Sequence, residues 1–114
     1  LHTPLFPATY HMINAQTLAH MKPDALIINV SRGSLIDEPA LIQALKEQRL
    51  AGAGLDVLED EKKRGTELFS FPNVIITPHA GFLSEESLKQ SRQMALKQLV
   101  KRLALDEKPA LLVN

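Results

Sequence analysis

Ala25-Leu26-Ile27-Ile28-Asn29-Val30-Ser31-Arg32-Gly33-Ser34 is the stretch on which the fold turns. An uncharged apolar run, interrupted only by Asn29, meets a tight Ser-Arg-Gly-Ser connection. Such a run predicts a strand buried on both faces, because a sheet covered by helices on each side loses the polar alternation of a half-exposed one. Upstream, Asn14 is an N-cap for a short helix over residues 15–21, and Lys22-Pro23-Asp24 breaks it. The opening Leu1-His2-Thr3-Pro4-Leu5 reads as the end of a strand entering a loop, which implies preceding residues.

Downstream, Asp37 caps a second helix with Pro39 in its first turn, where a missing N–H is harmless. Leu41, Ile42, Ala44 and Leu45 form its core-facing stripe, and the helix is expected to stop near Gly52. Residues 51–57 read as another buried strand, 58–70 as a charged loop and 74–76 as a third strand. A long helix opens at Ser84-Glu85-Glu86, with acid in its first turn, and ends before Pro109. Its Leu88, Ala95, Leu96, Leu99 and Leu103 read as core or inter-domain packing. Strands alternating with helices predict an α/β fold, the second half of a doubly wound parallel sheet with flanking helices.

Bulk properties narrow the function classes. Thirteen basic and thirteen acidic residues cancel, so there is no electrostatic footprint for nucleic acid or an anionic membrane surface. No apolar run approaches the length of a bilayer span. The absence of cysteine removes disulfides and thiolate metal sites and fits a reducing, cytoplasmic setting. His2, His11 and His20 recur every nine residues, but that interval matches no compact ligand motif, so no metal is expected.

Three polar groups follow the three strands: Arg32, the Asp56–Glu61 stretch and His79. Open parallel sheets bind ligands at that rim. A guanidinium grips a carboxylate through two parallel hydrogen bonds. An imidazole exchanges protons near neutral pH, and a carboxylate on its other nitrogen orients it. This set suits reduction of a 2-oxo acid, with the hydride coming from a cofactor. Glu59-Asp60-Glu61, read as a bare charge run, is a solvated loop.

The residues Asn29-Val30-Ser31-Arg32-Gly33-Ser34-Leu35-Ile36-Asp37, Ala53-Gly54-Leu55-Asp56-Val57 and Thr77-Pro78-His79-Ala80, in that order, resemble signatures of the D-isomer-specific 2-hydroxyacid dehydrogenases. The opening Leu1–Pro7 loop resembles the family segment beside the cofactor. The resemblance implies a Rossmann-like NAD-binding domain, an oxidoreductase of 2-hydroxy and 2-oxo acids, and NAD as cofactor. It implies Arg32 for the substrate carboxylate, His79 as acid/base and Glu61 as its partner. Asp56 would lie near the nicotinamide carboxamide, and Thr3, Pro4, Thr9, Val30 and Ser31 would line the cofactor. Residues 1–105 would form the later part of the NAD-binding domain, and 106–114 a tail toward the substrate domain. A homodimer is expected for the full-length protein.

Two departures stand out. Lys62-Lys63-Arg64 replace the proline that follows the glutamate in many relatives, and Phe82 leans toward the D-lactate branch. The glycine fingerprint G-x-G-x-x-G is absent from these residues, so the 114 residues alone are expected not to turn over. A dinucleotide-sensing corepressor and a packing or dimerisation fragment are the alternatives. Retention of all three catalytic side chains argues against the corepressor.

Overall fold

In the computed structural model, which describes residues 1–61 and 65–104, three short strands form one parallel sheet. They are β1 (Leu26–Asn29), β2 (Gly52–Leu55) and β3 (Val74–Ile76), in the spatial order β1-β2-β3. The register pairs Ile28 with Gly54 and Gly54 with Ile75, so one row of positions crosses all three strands, bare of a side chain at β2.

Two helices precede and follow β1. In α1 (Ala15–Ala19) the Asn14 carboxamide accepts from the N–H groups of Gln16 and Thr17, while the Thr17 hydroxyl accepts from the Asn14 N–H. This reciprocal cap ties down groups that a helix start leaves unpaired. In α2 (Glu38–Lys46) the Asp37 carboxylate accepts from Ala40 N–H at 3.1 Å, as its position before Pro39 predicted. The helix ends earlier than the expected Gly52. Gln48 takes the left-handed conformation at φ 54°, and Arg49 N–H bonds the Ala44 carbonyl. A glutamine thus supplies the terminating turn, for which glycine was the sequence signal.

The core lies on one side of the sheet. Ile27, Ala53 and Leu55 pack with Leu18 of α1, Leu41, Ala44 and Leu45 of α2, and the loop residues Ile36, Leu50 and Leu68. Leu68 belongs to a 3₁₀ turn, Glu67–Ser70, inside the segment expected to be irregular. The expectation of burial on both faces fails within this chain: Leu26, Ile28 and Ile75 are 64%, 59% and 71% exposed. Both short helices sit on the face of Ile27 and Leu55, which leaves the other row of apolar side chains without a cover in this unit.

The chain divides into two compact units, Leu1–Gly81 and the residues from Phe82 onward. The second holds α3 (Glu85–Ala104), preceded by Ser84, whose Oγ accepts from Ser87 N–H. None of the α3 residues is buried, so its leucine stripe forms no core of its own. No helix among the described residues is long and apolar enough to cross a membrane. The basic segment 62–64 and the tail expected at 106–114 lie outside the described residues.

Candidate active site

Every strand delivers a polar group to the same edge because all three run parallel. The ladder continues past the strands: Asp56 N–H bonds the Asn29 carbonyl and Thr77 N–H bonds the Leu55 carbonyl, both at 2.9 Å.

Beyond β1, the buried Asn29 shapes the turn. Its Oδ1 accepts from Ser31 N–H at 3.1 Å, and its Nδ2 donates to the Arg32 carbonyl at 2.9 Å. An Asn side chain can imitate a turn of backbone in this way. The Arg32 side chain is exposed, donates from Nη1 to the Ser31 carbonyl, and forms no ion pair among the described residues. Ser31 in turn donates its hydroxyl to the Thr3 carbonyl, which holds the opening loop against the end of β1. That loop is folded by Thr9, whose hydroxyl accepts from Phe6 N–H and donates to the Pro4 carbonyl. Val30, beside Ser31, is 42% exposed.

Beyond β2 stands Asp56, a buried carboxylate that staples the loop after β3. It accepts from the Thr77 hydroxyl, from Ala80 N–H at 2.8 Å and from Gly81 N–H at 2.7 Å. The Thr77 bond first, then the two N–H groups, hold its carboxyl below the usual carboxylate range. A Cβ on Gly81 would stand 2.9 Å from Asp56 Oδ2, so a larger residue there would push on the carboxylate of the clasp. Inside it sits His79, with backbone φ 52° in the left-handed region.

The charge run resolves into two different contacts. Glu61 Oε1 lies 2.9 Å from His79 Nδ1, whereas Glu59 Oε1 lies 2.6 Å from Nε2 of His11. An open cavity of about 290 Å³ is lined by Asp56, Leu58, Glu61, Phe69, Thr77 and His79. A second, of about 450 Å³, is lined by Arg32, Gly33, Ser34, Glu59, Asp60 and the same Leu58 and Glu61. Arg32 and His79 therefore face adjoining cavities with Glu61 on their common wall. Sequence reasoning passed over Asn29, Thr77 and the His11–Glu59 pair. A polar residue closing an apolar strand was the available signal for Asn29. Nothing local signals a contact across 48 positions.

The three-stranded parallel sheet, its one-sided helices and its polar carboxyl rim define half of a Rossmann-like dinucleotide-binding domain. Residues 1–81 match the family described as D-isomer specific 2-hydroxyacid dehydrogenase, NAD binding domain, and the match ends where the first compact unit ends. The chain belongs to this family. It is 46% identical over its whole length to a glyoxylate reductase of Thermococcus litoralis. It is 45% identical over 101 residues, 89% of the chain and 19% of the relative, to a D-3-phosphoglycerate dehydrogenase of Methanocaldococcus jannaschii. Among solved structures it resembles D-lactate dehydrogenase with NAD+ from Lactobacillus jensenii, at 36% identity and TM-score 0.89, covering all of this chain and 38% of that one. An NAD-complexed D-isomer specific 2-hydroxyacid dehydrogenase from Lactobacillus delbrueckii ssp. bulgaricus gives 39% identity and TM-score 0.90, covering 99% of this chain and 38% of that one. The chain spans 34% of the length of the Thermococcus relative.

Proposed function

We propose that these residues are the proton-transfer and substrate-gripping part of an NAD-dependent oxidoreductase acting on a small 2-oxo or 2-hydroxy acid. The observation that carries the reading is the Glu61–His79 contact at a wall shared with the Arg32 cavity. A carboxylate accepting from Nδ1 orients the ring and fixes which nitrogen faces the substrate. Nε2 then carries the proton that passes to the carbonyl oxygen of the substrate. Arg32 holds the substrate carboxylate through two parallel N–H···O bonds, which also fixes the keto carbon relative to His79.

The residues fit the nicotinamide end of the cofactor. An ionised carboxylate has about four acceptor positions. Asp56 fills three of them from Thr77, Ala80 and Gly81, which leaves one for a carboxamide N–H. Thr3, Pro4, Thr9, Val30 and Ser31 would border the same group, because the Ser31–Thr3 bond brings the opening loop beside the end of β1. When bound, the nicotinamide supplies the hydride that reaches the keto carbon. No G-x-G-x-x-G occurs in the 114 residues, so the pyrophosphate cradle would come from elsewhere in a longer polypeptide.

For the substrate, relatives named glyoxylate reductase and structural neighbours named D-lactate dehydrogenase both favour an acid of two or three carbons. Phe82 keeps the D-lactate-like reading in view. The test is steady-state oxidation of NADH by the full-length protein with glyoxylate and with pyruvate. His79→Asn should lower kcat by about 10²- to 10⁴-fold. Arg32→Lys should raise KM for the oxo acid more than it lowers kcat, because an ammonium cannot reproduce the two-point grip. Full activity in His79→Asn would remove the reading.

A further inference from the structure

The turn carrying Glu61 is fastened from the far side. His11 lies in the left-handed region at φ 49°, and its N–H bonds the Ser34 carbonyl at 2.9 Å. Its ring is stacked on Tyr10 with centroids 3.9 Å apart, and Nε2 meets Glu59 at 2.6 Å. The Tyr10 hydroxyl donates to the same Glu59 oxygen at 3.5 Å, and Asp37, the cap of α2, lies 4.0 Å from His11 Nδ1. One residue thus joins three segments: its backbone N–H holds the Arg32 turn, and its ring meets the start of α2 and the Glu59–Glu61 turn. The backbone closes the same joint, since a Cβ on Gly33 would fall 1.9 Å from the Leu58 carbonyl oxygen.

We infer that Glu59 and His11 are positioning residues that hold the turn so that Glu61 meets His79 beside Arg32. The inference rests on the function proposed above. The geometry gives a division of labour along one turn: Glu61 touches the acid/base imidazole, and Glu59, two residues earlier, anchors the turn to the opening loop. A carboxylate two residues from its neighbour moves with it, so loss of the anchor displaces the catalytic one. Misplacement by about 1 Å is enough to cost up to about a hundredfold in rate.

The experiment uses the full-length protein with NADH and glyoxylate, comparing Glu59→Ala, Glu59→Gln, His11→Asn and Glu61→Gln. Asparagine tolerates the left-handed backbone at position 11 but is too short to reach Glu59. Glu59→Ala and His11→Asn should each lower kcat about tenfold with KM for glyoxylate unchanged, and the double variant should fall no further. Glu59→Gln should recover most of the rate, because its carbonyl oxygen still accepts from His11. If Glu59→Ala fails to fold, His11→Asn with Glu59→Gln carries the same comparison. Wild-type kcat in Glu59→Ala and His11→Asn, with Glu61→Gln impaired, overturns the anchor alone. Equal impairment of Glu59→Gln and Glu59→Ala overturns it as well. Wild-type kcat in Glu61→Gln would instead overturn the underlying assignment of Glu61.

Discussion

The two faces of the sheet differ more than their sequences do. On one, Ile27, Ala53 and Leu55 are sealed beneath α1 and α2; on the other, Leu26, Ile28 and Ile75 stand open. Both rows are aliphatic and they alternate along the same strands. The difference lies in what covers them, and within the first unit both helices fall on the same side. A strand's apolar content therefore reports the burial it is suited to, while its neighbours in the chain decide how much of that is met locally. The functional groups avoid the question by sitting at the rim, where strand ends and loop hydrogen bonds fix them.

This contrast can be broken by substitution. Leu41→Ala, on the sealed side and 1% exposed, should lower the unfolding free energy of this chain by about 2–5 kcal/mol, read from urea denaturation. A loss below that range would mean the helices are loosely seated. The clasp at the rim should respond to acid. The Asp56 carboxyl is held below its ordinary range by Thr77, Ala80 and Gly81, so its contribution is present above the unfolded-state value. It disappears as pH falls through the lowered folded-state value. Asp56→Asn should flatten that part of a thermal-melt series against pH, and an unchanged acid limb would remove Asp56 from the clasp. Smallest of all, Ile28→Thr and Ile75→Thr on the open face should each shift stability within about 0.5 kcal/mol. A large loss there would show that the open row is covered in solution.

Much of this arrangement was legible. Asn14 and Asp37 announce their helices by chemistry local to a few residues, and the uncharged 25–30 run marks the strand from which the rest is placed. The rule that parallel sheets offer ligands at their carboxyl ends places Arg32, Asp56 and His79 on one edge from the sequence alone. Choosing Glu61 over Glu59 needed the offset from Asp56 known from the family, since spacing alone treats the two alike. The open face was not legible, because hydrophobicity has no memory of which segment supplies the cover. Nor was the end of α2: glutamine seldom signals a left-handed turn, and Gln48 takes that role with its N–H on the Leu45 carbonyl and the following Arg49 N–H on that of Ala44.

His79 carries a further consequence. A non-glycine residue at φ 52° occupies a small basin open to few side chains and least of all to branched ones. The main chain therefore sets the direction of the imidazole before its own torsions are chosen, and Asp56, at the end of the neighbouring strand, stabilises that choice through its bonds to Thr77, Ala80 and Gly81. Redesign at this position is narrowed accordingly. Asparagine, aspartate or glycine can inherit the backbone without the chemistry, whereas valine or isoleucine would dismantle the loop before any question of proton transfer arose.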